Sequence, residues 1–287
     1  VDYFCKKLLK IMILNINGGV FDLSSPKIMG VLNVTPDSFY DGGVFSNEKK
    51  ILAQVEKMIL DGADIIDIGG FSSKPGAKTI SLKEEEKRVI PIIKLINKTF
   101  NKIIISVDTF RSEIAEKSLN EGASIINDIS GGDLDKNIYQ ISYKYKAPYI
   151  MMHMNGVPLN MQNNPKYENI NHDIIKDFTS KIDSAEKKGV CDIIIDPGFG
   201  FGKTIQHNYQ ILNNLKLYTV LKKPILVGIS RKSMIYKLLK TDPSKALNGT
   251  TSLNTIALIN GANILRVHDV KEAKEVIKLY SFLKENV

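Results

Sequence analysis

Short apolar runs recur along the chain, most ending on a polar residue or glycine ahead of a loop and a segment of helical period. The runs predict strands at Ile28–Leu32, Asp64–Ile68, Lys102–Val107, Ser124–Asn127, Ala147–Met152, Asp192–Ile195, Pro224–Gly228 and Asn263–Val267. Between them the pattern predicts helices at Asn47–Leu60, Leu82–Lys98, Ser112–Glu121, Lys136–Lys146, Ile170–Lys188, Thr204–Leu217, Ser252–Asn260 and Val270–Lys284, with a helical excursion over Ser230–Thr241. Ahead of the first unit, Lys10–Ile16 and Val20–Leu23 flank Asn17-Gly18-Gly19. That is the pattern of a β-hairpin, placed to plug the bottom of a closed sheet. Eight strand–helix units with polar residues at the strand ends favour an α/β fold of the (β/α)8 TIM-barrel type with an N-terminal β-hairpin over an open doubly wound sheet. The chain reads as one domain, residues 1–287, with the hairpin at about 10–24 and the barrel at about 28–287.

The most informative stretch is Asp192–Lys203. A buried run, Ile193–Ile195, delivers Asp196 to a tight mouth shaped by Gly198, Gly200 and Gly202. The same grammar brings other chemistry to the C-terminal ends of the strands, where barrels carry their sites. Carboxylates would come from Asp67, Asp108, Asp128 and Asp196, and amides from Asn33 and Asn127. Cations would come from Lys74, Arg111, Lys203, Arg231, Lys232 and Arg266, with His268 nearby. Inward carboxylates and an amide suit a planar nitrogen heterocycle with N–H donors. Arg266 and His268 flank Val267, so strand alternation points both one way, toward one anion. Arg231-Lys232-Ser233 follows the seventh strand, where barrels often bind phosphate. The loops Thr35–Gly43 and Gly69–Ala77 read as lids that exclude water, and His153–Glu168 as a top-face loop with an Asn-rich rim. GFGFGK lacks the spacing of a P-loop. The sequence carries no Ser–His–Asp order and no H-x-x-x-H or paired cysteines, which argues against a zinc hydrolase or a covalent nucleophile.

The net charge of +8 permits nucleic-acid binding, but the lysines are scattered along helices, so no nucleic-acid partner is expected. Two cysteines, Cys5 and Cys191, form no framework, and the N-terminus lacks a signal-peptide core; a reducing, cytoplasmic setting is the expectation. No apolar run approaches the roughly 18 residues of a membrane span.

The motifs together resemble one family, the dihydropteroate synthases, from about Met12 to the C-terminus. They are MGVLNVTPDSFYDGG from Met29, GADIIDIGG from Gly62, ISVDTFR from Ile105, INDISGG from Ile126, DPGFGFGK from Asp196, GISRKS from Gly228 and RVHDV from Arg266. The resemblance implies a transferase of folate biosynthesis. It would join 6-hydroxymethyl-7,8-dihydropterin diphosphate to 4-aminobenzoate, releasing diphosphate and forming 7,8-dihydropteroate. It further implies Mg2+ with the diphosphate, a homodimer through the C-terminal barrel helices, and sulfonamides as mimics of aminobenzoate. Asn33 would be the metal–diphosphate contact, and Arg266 and His268 the anion clamp. Asp108, Asn127, Asp196, Gly228 and Lys232 would line the pterin pocket. Phe39, Ser73, Lys74, Pro75, Phe201, Lys232 and Ser233 would form the aminobenzoate side. Asp41 would stabilise the pterin cation; with Asp108, Lys232, Arg266 and His268 it completes the expected catalytic set. The second loop departs from the family's GGESTRPG. It reads GGFSSKPG, with Phe71 for glutamate, Ser73 for threonine and Lys74 for arginine. Lysine keeps the charge but loses arginine's bidentate fork, so altered loop chemistry and aminobenzoate affinity are expected. Two alternatives stay open: a pterin-dependent methyltransfer barrel needing a corrinoid partner, and a catalytically impaired pterin-binding paralogue.

Overall fold

A computed structural model describes residues 12–34, 43–71, 80–156, 161–162 and 165–286, with side chains of the first helix from Asn47 onward. The hairpin forms as predicted: β1 (Ile13–Ile16) pairs antiparallel with β2 (Gly19–Asp22). Its turn puts Asn17 and Gly18 at φ 52° and 79°, the left-handed geometry that an Asn-Gly turn supplies.

Eight parallel strands follow: β3 (Lys27–Asn33), β4 (Ile65–Gly69), β5 (Ile104–Asp108), β6 (Ile125–Asp128), β7 (Tyr149–Met152), β8 (Ile193–Asp196), β9 (Leu226–Val227) and β10 (Ile264–Val267). Each pairs with its chain neighbour, β3 also pairs with β10, and an Ile195–Ile225 bridge closes β8 onto β9. The result is the expected (β/α)8 barrel. Around it run α1 (Gly43–Leu60), α2 (Leu82–Thr99), α3 (Ser112–Asn120), α4 (Ile138–Tyr145), α5 (Ile170–Lys187), α6 (Ile205–Asn213), α7 (Ser233–Tyr236), α8 (Leu247–Ile259) and α9 (Val270–Glu285). Ser81 caps α2, accepting from the Glu84 N–H at 3.2 Å, and Glu84 and Glu85 meet the positive end of its dipole.

Strand alternation sorts the barrel into two cores. Ile66, Ile68, Ile105, Val107, Ile126 and Ile195 face outward to the helices. Met29, Ile65, Ile125, Ile150, Ile194, Leu226 and Ile264 face inward and fill the lower barrel, where Leu14, Ile16 and Leu23 of the hairpin join them. Asn17 Nδ2 donates to Ser124 Oγ at 2.8 Å and the Asn15 N–H to Asp192 Oδ2 at 3.1 Å, tying the plug to the strands' N-terminal ends. With the lower half packed by aliphatic side chains, inward polar residues are left to the upper half.

The first helix starts at Gly43, four residues before Asn47, β9 keeps only Leu226–Val227 of its expected span, and three helical segments of the second half also depart from the sequence expectation. The Ser230–Thr241 excursion contains only the single turn α7. α6 stops at Asn213 and gives way to a 3-10 segment, Leu215–Leu221. α8 starts at Leu247, five residues before Ser252, through a Gly- and Thr-rich segment of poor helix propensity. Packing overrides propensity there. A Cβ on Gly249 would stand 2.4 Å from Ile235 Cγ2, so only glycine lets the helix approach so closely, and Thr250 Oγ1 bonds back to Ala246 O at 2.9 Å.

Candidate active site

The upper barrel holds a connected set of polar side chains from β4, β5, β6 and β10. Arg266 on β10 turns inward between two carboxylates. Its Nε donates to Asp67 Oδ2 at 2.7 Å, and its Nη2 lies 2.7 Å from that oxygen and 2.8 Å from Asp108 Oδ2. Asn127 Nδ2 donates to the same Asp67 oxygen at 3.0 Å. Burial pushes the Asp108 carboxyl up; Arg266 pulls it back, and the Asp67, Glu85 and Asp128 charges add to the rise. Burial alone would lower the Arg266 guanidinium, but the Asp67 and Asp108 carboxylates hold it charged.

Asp196 ends β8, buried, with Oδ1 accepting from the Gly198 N–H at 2.8 Å. Burial raises its carboxyl, and the Lys232 ammonium opposes that shift. Lys232 donates to Phe199 O at 2.6 Å and lies 4.8 Å from the centre of the Phe201 ring; burial lowers it to about 8. Gly228 sits between Arg266 and Lys232, where an added Cβ would make ordinary contacts with both. The glycine-shaped mouth has a steric basis. Gly198 has φ 70°, and a Cβ there would lie 2.0 Å from His153 O; Gly202 has φ 61°, with Asn155 O at 2.5 Å.

His268 lies on the exposed rim, on the same side of β10 as Arg266. The two share no partner. The Ser230 hydroxyl accepts from the His268 backbone N–H at 3.2 Å and lies 3.0 Å from Nδ1. With the Ser230 hydroxyl donating to Nδ1, Nε2 carries the ring proton and is the donor presented outward. Packed protein around the ring, then the Arg266 charge, hold the imidazole below its usual value. Because the residue is exposed, solvent offsets part of that desolvation. Asn33 is exposed at the end of β3, paired in register with Gly69. Ser233 opens α7, half-buried. Phe39, Asp41, Ser73, Lys74 and Pro75, with residues 35–42 and 72–77 of the two expected lid loops, lie outside the described residues.

Several expected top-face groups are committed elsewhere. Asp128 follows Asn127 and so points outward, accepting from Tyr149 Oη, the Ser130 N–H and Oγ, and the Gly132 N–H at 2.6–2.8 Å. Arg111 bonds buried Glu85 and Ile80 O. Arg231, at φ 54°, grips both oxygens of Asp269 and the carbonyls of Pro243 and Ser244. It therefore anchors the turn in place of the phosphate contact expected from Arg231-Lys232-Ser233. Lys203 is buried, its three N–H donors met by His153 Nδ1, His153 O and Phe201 O at 2.9–3.2 Å.

The family model for pterin-binding enzymes matches residues 29–268, spanning this entire site. Dihydropteroate synthase of Escherichia coli is 42% identical over 264 residues, covering 91% of this chain and 93% of that protein. This chain belongs to the dihydropteroate synthase family. Solved dihydropteroate synthases agree. The Yersinia pestis enzyme in complex with a sulfonamide drug superposes with a TM-score of 0.89 at 39% identity, covering 96% of this chain and all of that one. The Xanthomonas albilineans enzyme with 4-aminobenzoic acid gives 0.88 at 32% identity, covering 96% and 98%.

Within this dihydropteroate synthase fold, Phe71 takes up a definite place. Its ring meets Phe110 edge-on, centroids 6.2 Å apart, and both pack on Ile129, Met152, Met154, Met161 and Phe201. The glutamate-to-phenylalanine departure thus extends an apolar wall that reaches Phe201. Asp67 is the residue whose role the sequence did not disclose, since its motif DIIDIGG marks a strand end without distinguishing a bridging carboxylate from a ligand contact.

Proposed function

We infer that the chain is a dihydropteroate synthase, joining 6-hydroxymethyl-7,8-dihydropterin diphosphate to 4-aminobenzoate. The observation that carries the site assignment is the convergence of Asp108, Asn127, Arg266, Asp196 and Lys232 at one end of one barrel. Carboxylates at Asp108 and Asp196 accept from the ring N–H and amino groups of the pterin. Asn127, with one N–H of its NH2 already given to Asp67, offers its carbonyl oxygen. Lys232 supplies a donor beside Asp196. The diphosphate lies toward the rim, where His268 Nε2–H and the guanidinium edge of Arg266 bind it.

The C–O bond to the diphosphate breaks first, its electron pair leaving with the anion. The methylene left behind is a cation delocalised into the pterin, and the Asp108 and Asp196 charges stabilise it. The aryl amine then adds its lone pair to that carbon and releases a proton to solvent. A protein general base is unnecessary. Phe201, with the wall from Phe71 and Phe110, holds the aryl ring, and sulfonamides compete there.

Mg2+ fits the donor set. Among the described residues no group of three His, Cys, Asp or Glu side chains forms a metal cage; Asn33 offers an exposed side-chain oxygen at the end of β3. A cation that keeps its waters and rides on substrate phosphates asks for no more. It would offset charge on the departing diphosphate. A homodimer is the accompanying proposal. Ile256 and Ile259 on α8, and Leu279, Phe282 and Leu283 on α9, are exposed apolar residues on two adjoining helices.

Two-substrate kinetics test the assignment. Asp196→Asn should raise KM for the pterin diphosphate, and Phe201→Ala should raise KM for aminobenzoate. Equal effects of each variant on both substrates would overturn the division of the pocket.

A further inference from the structure

Asp67 joins two side chains of this site, yet it is fully buried below the mouth. One oxygen, Oδ2, takes the amide of Asn127 from β6 and the guanidinium of Arg266 from β10. A carboxylate only accepts, so Asn127 can meet it only through an N–H of its NH2, which leaves the carbonyl oxygen and the second N–H for a ligand. Arg266 is fixed in the same way. Its Nε and Nη2 face the carboxylates, while among the described residues no hydrogen bond occupies Nη1.

The arrangement is a poor one for stability alone. Asp67 Oδ1 is buried without a hydrogen-bond partner, and so is the hydroxyl of Ser106, its register neighbour on β5. Buried ion pairs with unmet acceptors stabilise folds weakly. What this carboxylate supplies, and a neutral side chain would not, is an acceptor-only charge at the junction of two ligand-facing groups.

We propose that Asp67 is the positioning residue of the site: it touches no substrate, and it sets which atoms Asn127 and Arg266 present to the pterin diphosphate. The proposal rests on the functional reading above. It carries an electrostatic consequence. Asp108 is faced by Arg266 from β10, Asp67 from β4, Glu85 from α2, Asp128 from β6, and Lys232 after β9. Removing the Asp67 charge removes repulsion and leaves Arg266 to pair with Asp108 alone. Both changes favour the Asp108 carboxylate.

The test is a double-mutant cycle on the full-length protein, with dihydropteroate formation by wild type established first. Asp67→Asn should lower kcat/KM for the pterin diphosphate by about 10- to 150-fold, the range for a lost charged hydrogen bond. The acid limb of its pH profile should move to lower pH. In an Asn127→Ala background the same change should cost several-fold less, because its effect runs through Asn127. Additive losses with an unmoved acid limb would overturn the proposal. If Asp67→Asn does not fold, Asp67→Glu, which keeps the charge but displaces the oxygen, enters the same cycle. A lower melting temperature with unchanged kcat/KM would then overturn it. Absence of dihydropteroate with wild type would instead sink the functional reading itself.

Discussion

Asp108 and Asp196 are acids held where burial disfavours their charge. A carboxylate accepting from a bound pterin contributes roughly 1.5–3 kcal/mol, so Asp196→Asn should lower kcat/KM by about 10- to 150-fold. Parallel melting curves would show whether the loss is one of binding chemistry. Asp108 adds a pH dependence. Its carboxyl rises from 3.8 to about 7, so the ionised form needed by the pterin is lost as pH falls through that region. kcat/KM should decline on that limb, and Asp108→Asn should abolish the limb along with most activity. The stability effect has the opposite slope. A raised folded value favours the neutral acid, so this group's stabilisation is complete below 3.8 and is lost as pH rises toward 7. Alternation accounts for which polar residues reach the mouth. Asn127 and Asp128 are adjacent, so only one of them can face inward. That parity was readable in the sequence, whereas the partners of Arg111 and Arg231 were not: Glu85 and Asp269 lie 26 and 38 residues away along the chain.

At the scale of elements, strands and hairpin were legible because isoleucine-rich runs and an Asn-Gly turn leave few alternatives. The α7–α8 region was not, because the close packing of Gly249 on Ile235, which leaves no room for a Cβ, does not show in local propensity. The hairpin and the Gly-rich turn make separable predictions. Leu14 packs into the lower core, far from the mouth, so Leu14→Ala should cost roughly 2–5 kcal/mol by urea denaturation and leave both KM values unchanged. Gly198→Ala places a side chain at φ 70° and against His153 O. It should destabilise by more than about 1 kcal/mol and also depress kcat/KM, since the same turn binds Asp196.

The whole molecule is a barrel whose lower half is aliphatic and whose upper half is charged, and the division follows from which strand positions carry isoleucine and which carry acids or amides. No described helix is long and apolar enough to cross a membrane. The exposed apolar residues of α8 and α9 predict association: Phe282→Asp should shift sedimentation velocity from dimer to monomer at micromolar concentration. On the proposed function, inward acids hold the pterin while Arg266 and the rim draw off its diphosphate in a single pocket. The most direct test is to incubate the protein with the pterin diphosphate, 4-aminobenzoate and Mg2+ and quantify both products. Equal amounts of 7,8-dihydropteroate and diphosphate, with both lost in Arg266→Met, are the predicted result. Tight pterin binding with neither product formed would contradict it.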